Sequence, residues 1–148
     1  MIRRTAATAL LALLMMGIGT SCGAGSAVND YGQIFKGAKG STVNVEVGTG
    51  QRFSLAVADN PSTGDQWRLL AVPDAKVASF ISKEYVSEGG GPGSGGTSYF
   101  VFNGKQPGST EIRLHNCWRC PSATPSPTPV DAQSKAQSGE AIFSVIVK

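Results

Sequence analysis

Histidine and cysteine are scarce in this chain, and so is charge. Its 148 residues include one His, at position 115, and three Cys, and only 16% are Asp, Glu, Lys or Arg. A single imidazole cannot build a His-rich metal site, and it leaves one candidate base for a Ser-His-Asp arrangement. Enzymatic activity, a cofactor and a metal are therefore not expected. The formal net charge is +3, and setting aside Arg3 and Arg4 near the N-terminus leaves eleven cations against ten anions. Without a clustered basic face there is no electrostatic footprint for nucleic acid. The apolar run Ala6 to Ile18 falls short of the roughly 20 residues a membrane-spanning helix needs. What the chain has in quantity is glycine, 19 residues, with 8 prolines. Its length suits one domain.

The N-terminus carries a processing signal. Met1-Ile2-Arg3-Arg4 is a short basic region, the apolar run follows, and Gly19-Thr20-Ser21 brings small residues up to Cys22. That is the layout of a secretory signal peptide over residues 1–21. The small residues before Cys22 resemble a bacterial lipobox, with Gly19 where Leu is usual. The resemblance implies an exported protein, lipid-anchored through Cys22 at the cell membrane or envelope, with plain secretion as the alternative. Residues 22–40 then read as a flexible tether.

Export decides how the other two cysteines are read. Cys117 and Cys120 form an even pair in an oxidising compartment, so a disulfide is expected between them. A thioredoxin-like motif would place the first cysteine at a helix N-terminus, whereas this pair follows a strand-like run and precedes Pro121. Zinc is also disfavoured, because His115, Cys117 and Cys120 offer three ligands and no second pair.

From residue 41 the pattern acquires a period of two. Thr42 to Val47 alternates, a Gly48-Thr49-Gly50 turn follows, and Phe53 to Val57 alternates again. Further strand candidates are Gln66 to Val72, Val77 to Val86, Ser98 to Phe102, Glu111 to His115 and Ala141 to Val147. Seven short strands with turn signals at Asn60-Pro61, Gly104 and Pro107-Gly108 predict an all-β, immunoglobulin-like Greek-key sandwich over residues 41–148. Trp67, in the third strand, is assigned to the core. The Pro/Ser-rich stretch 121–139 is too poor in apolar residues to join that core and is expected as a long loop.

In such a sandwich the loops after alternate strands emerge at one end. Three of them are distinctive: Asn60-Pro61-Ser62-Thr63-Gly64, the glycine-rich Gly89 to Gly96, and Asn116-Cys117-Trp118-Arg119. At these residues the chain resembles the chagasin family of cysteine-protease inhibitors. The family's first loop reads Asn-Pro-Thr-Thr-Gly followed by an aromatic; here Ser62 replaces a Thr and Asp65 replaces the aromatic. Its Gly-x-Gly-Gly is matched by Gly93-Ser94-Gly95-Gly96. Of its Arg-Pro-Trp only Trp118 is kept, with Asn116-Cys117 ahead of it.

The resemblance implies a monomeric, reversible inhibitor whose partner is a papain-family cysteine peptidase. The first loop would enter the enzyme's cleft while the other two grip its sides. Pro61 fixes φ and lowers the ordering cost, and Ser62 and Thr63 are small enough for a narrow cleft. The glycines let backbone approach backbone, and Trp118 is the expected aromatic anchor. Each feature also has a plainer reading: Asn-Pro-x-x-Gly as an ordinary turn, the glycines as a linker, Trp118 as a cap on the core. The competing functional reading is a non-inhibitory binding or scaffold lipoprotein of the cell envelope.

Overall fold

The computed structural model describes residues 30–121 and 128–148. The expected signal peptide and Cys22 lie outside the described residues. In chain order the elements are β1 (Gln33–Gly37), β2 (Thr42–Val47), β3 (Arg52–Asp59), β4 (Trp67–Leu69), β5 (Ala78–Ser87), β6 (Gly96–Gly104), β7 (Gly108–Asn116), α1 (Ala132–Gln137) and β8 (Gly139–Val147). The strands form two four-stranded sheets, ordered β1-β3-β6-β5 and β2-β8-β7-β4. The pairs β1–β3 and β2–β8 are parallel and the remainder antiparallel. The two layers are those of an immunoglobulin-like sandwich.

Period-two patterning builds the core between the sheets. Phe53 and Leu55 of β3 lie opposite Phe102 and Phe100 of β6 in register, and all four are buried. From the other sheet Ile112 and Leu114 of β7, with Phe143 and Val145 of β8, fill the facing layer. Phe53 and Phe102 stack with ring centroids 5.5 Å apart. Trp67 is core, as expected, and its indole N–H donates to the Ala58 carbonyl at 2.9 Å. The indole thereby spans the two sheets, burying its ring without losing its hydrogen bond.

Three features differ from the sequence expectation. First, the sandwich begins before residue 41, because part of the expected tether forms β1, whose Gln33 to Gly37 run in parallel register with Phe53 to Val57. The segment leading into it covers the outer face of β3 and β6: Tyr31 stacks on Tyr99 at 4.5 Å, and Ser54 Oγ donates to the Tyr31 carbonyl at 2.6 Å. Second, the third expected strand shrinks to Trp67–Leu69. Pro73 has no N–H for a ladder, and Asp74 turns the chain by accepting at its carbonyl from the N–H groups of Val77 and Ala78. Third, the stretch expected as a loop contains α1. Asp131 caps it, accepting the Ser134 N–H at 2.7 Å, and the small Ser134 is the residue that the helix buries.

Candidate functional site

Register places three connections at one pole. Asp59, the last residue of β3, lies opposite Gly96, the first of β6, and Ser87, the last of β5, pairs with the same Gly96. In the other sheet Trp67, at the start of β4, and Gly139, at the start of β8, both pair with Asn116, the end of β7. The β3–β4, β5–β6 and β7–β8 connections therefore share a rim. These are the three loops singled out in the sequence.

Loop one, residues 60–66, is a compact turn closed on its own carbonyls. The N–H groups of Thr63 and Asp65 donate to the Asn60 carbonyl at 3.0 and 3.2 Å, and that of Gly64 to the Pro61 carbonyl at 3.2 Å. Thr63 Oγ1 adds a bond to the Asn60 carbonyl at 3.0 Å, and Ser62 Oγ one to Asn60 Oδ1 at 2.5 Å. With its backbone groups turned inward, the loop presents Pro61, Ser62 and Thr63 to solvent.

Asp65 ties this turn to the body. Its Oδ2 accepts the Asn60 N–H at 3.3 Å; its Oδ1 accepts from the buried Asn116 Nδ2 at 2.9 Å and from Lys39 Nζ at 3.2 Å. Lys39 also donates to the Gln137 carbonyl at the end of α1, at 2.7 Å. One carboxylate thus connects loop one, the end of β7 and the β1–β2 crossover, and Lys39 extends the connection to α1. Charge-assisted bonds of this kind are stronger than neutral ones. Asp65, standing where the family pattern has an aromatic, thus works inward.

The second loop is held mainly by its backbone. Gly89, Gly90, Gly91 and Gly93 all have φ between 79° and 111°, a region that L side chains rarely occupy. Glu88 N–H donates to the Gly95 carbonyl at 3.1 Å and Ser94 N–H to the Gly91 carbonyl at 3.2 Å. Loop one reaches across through Asn60 Nδ2, which donates to the Gly93 carbonyl at 3.0 Å. Gly95 and Gly96 differ from the others. Gly96 is buried, and a Cβ there would collide with the Val86 carbonyl and the Tyr85 ring, so its small size serves the β5–β6 pairing. A Cβ on Gly95 would press to 3.3 Å from the Asp59 carbonyl.

In the third loop Cys117 and Cys120 are joined by the expected disulfide, and both are buried. Between them Trp118 is half-buried, and the Arg119 guanidinium lies over its ring, 4.3 Å from the centroid. Trp118 N–H donates to Ser138 Oγ, at 2.9 Å, just past α1. Arg119 takes a left-handed φ of 51°. Its N–H donates to the Gly64 carbonyl at 2.8 Å and its Nε to the Thr63 carbonyl at 3.4 Å. A Cβ on Gly64 would strike Arg119 Cγ, so glycine there lets loops one and three meet.

The predicted site residues Asn60, Pro61, Ser62, Thr63, Gly64, Gly93, Ser94, Gly95, Gly96 and Trp118 therefore gather at one rim, but in different roles. Pro61, Ser62, Thr63 and Gly93 are exposed, whereas Asn60 is half-buried and spends its side chain on internal bonds. Lys39, Asp65, Asn116 and Arg119 form the framework beneath, and sequence reasoning assigned them no part in it. Asn116 left a signal: it takes the next inward position of β7 after Ile112 and Leu114, a polar residue continuing a buried apolar alternation.

Comparison with known proteins supplies a family and a shared fold. The model of the chagasin family peptidase inhibitor I42 matches residues 46–126, more than half of the chain and all of loops one and two. Among solved structures, the cysteine protease inhibitor EhICP2 from Entamoeba histolytica superposes with a TM-score of 0.51 at 16% identity, covering 78% of this chain and 96% of that one. Amebosin gives 0.51 at 20% identity, with 78% and 98% covered. PbICP-C, solved in complex with falcipain-2, gives 0.54 at 14% identity, with 82% and 95% covered. At such identities the structures show a shared fold. No curated protein matches. On the strength of the family match, with its loops in order on one rim, the chain belongs to the chagasin family of peptidase inhibitors.

Proposed function

We propose that this protein reversibly inhibits papain-family cysteine peptidases by laying the three-loop rim over the active-site cleft, with Pro61, Ser62 and Thr63 entering it. The observation that carries this reading is the cross-linking of the rim, Asn60 to Gly93 on one side and Arg119 to Gly64 and Thr63 on the other. A binding surface fixed before encounter loses less conformational entropy on association. The inward turn of the loop-one N–H groups also leaves no extended, strand-like segment for a peptidase to cut. Loop two supplies backbone with few Cβ atoms, those of Pro92 and Ser94, at one side, and Trp118 with Arg119 a flat ring and a cation at the other. Likeness to EhICP2, a cysteine protease inhibitor, and to PbICP-C, bound to falcipain-2, supports this class of partner. The proposal includes export as a monomer and anchorage through a lipid on Cys22, supported by the N-terminal sequence and the oxidised Cys117–Cys120 pair.

Titration of residues 23–148, with the cysteines oxidised, against papain tests the reading. Inhibition at micromolar concentration or below is expected, and its absence would sink the inhibitor function in favour of a scaffold role. Given inhibition, Thr63→Trp is expected to block loop insertion. Trp118→Ala should weaken binding by about 2 kcal/mol, the loss usual for an aromatic anchor. Unchanged inhibition constants in both variants would refute the site.

A further inference from the structure

Loop one springs from two different sheets. Its stems are Asp59, at the end of β3, and Trp67, at the start of β4. On this side the sandwich is open, since β4 and β5 are edge strands and, among the described residues, no backbone ladder joins their sheets. The separation of the stems therefore depends on side chains. One is Trp67, through its bond to the Ala58 carbonyl.

We propose that Lys83 is a positioning residue for loop one, its ammonium group joining the two stems across the open side of the sandwich. Lys83 belongs to β5 and lies opposite Phe100, so it points to the core side of its sheet. Its Nζ donates to the Trp67 carbonyl at 2.8 Å and stands 3.8 Å from Asp59 Oδ2, which also accepts from Ser98 Oγ at 2.5 Å. It also lies 5.4 Å from the centroid of the Phe100 ring. Lys83, Trp67, Asp59 and Phe100 wall an open cleft of about 500 Å³ that Pro61 and Arg68 also line. A lysine on an edge strand is ordinarily solvated, with its head group in water. The Lys83 side chain stays 39% exposed, and burial of the remainder pulls its pKa below the usual lysine value, with Asp59 opposing that pull and Arg68 reinforcing it. What singles it out is geometry: its two polar partners, Trp67 and Asp59, are the two stems of the same loop. The inference rests on reading loop one as the inserting segment, but the ordering of the loop can be tested without that reading.

Lys83→Met and Lys83→Arg in the oxidised protein separate the possibilities, with amide hydrogen exchange at Thr63, Gly64 and Asp65 as the first readout and papain inhibition as the second. Lys83→Met is expected to speed exchange at those three amides about tenfold while Leu55 and Phe100 keep their protection, and to raise the inhibition constant by a similar factor. Lys83→Arg, which keeps charge and donors, is expected to restore both. Unchanged loop exchange in Lys83→Met, or equal acceleration of loop and core amides, would overturn the proposal. If Lys83→Met does not fold, Lys83→Gln is read by the same two criteria. A wild-type protein that fails to inhibit papain refutes the inhibitor reading alone, because loop exchange still decides the role of Lys83.

Discussion

Loops one and two stand side by side on the rim and achieve order in opposite ways. In loop one, side chains reinforce the backbone turn: Asp65, Asn60, Ser62 and Thr63 each bond within the loop or to its base. In loop two the conformation follows from positive φ angles at glycines, with few side-chain bonds. A side-chain framework is damaged by removing polar atoms, whereas a glycine framework is damaged by adding carbon. The difference suits their proposed tasks, since an inserting segment must keep its shape and a flanking one must let backbone come close.

Substitutions on either side should separate the two modes. The largest effect is expected from Asp65→Ala, which strips the carboxylate from Asn60, Asn116 and Lys39 at once and leaves the buried Asn116 amide without that acceptor. A loss of about 2 kcal/mol in unfolding free energy is expected, measured by chemical denaturation; a change within error would show that the carboxylate is not what organises the rim. Gly91→Ala comes next. A Cβ there meets nothing within 4 Å, so the cost is conformational, from a φ of 100°, and about 1 kcal/mol is expected with loop-one amide protection unchanged. Loss of protection in loop one would mean that the two loops order together. Ser62→Ala, which removes the bond from Ser62 Oγ to Asn60 Oδ1, should cost only about 0.5 kcal/mol. A larger loss would place more of the loop's order in that pair than the Asp65 framework allows.

The fold was legible where alternation is regular and the partner surface is the core. Thr42 to Val47 and Phe53 to Val57 show their pleat in the chain itself, and both are strands. β1 was not legible, because Ile34 remains exposed and Phe35 is only half-buried, so the run lacks a clean apolar face. Nor was α1: its six residues carry no apolar stripe, and what docks it is the small Ser134 with the bonds of Ser138. At the rim, the exposed residues of loop one could be read because the turn chemistry is local. The role of Asp65 could not, since its partners come from residues 39, 60 and 116, and only folding brings them together.

The direction of β1 fixes which way the molecule faces. Because β1 runs parallel to β3, whose end forms the rim, the chain enters the sandwich at Asp30 on the opposite pole. Lys148 lies at that pole too, its carbonyl accepting from Thr49 beside the β2–β3 turn. Asp30 and Lys148 therefore both lie at the pole away from the three loops. A sensor surface coupled at Lys148 would hold the sandwich by the pole opposite its three loops.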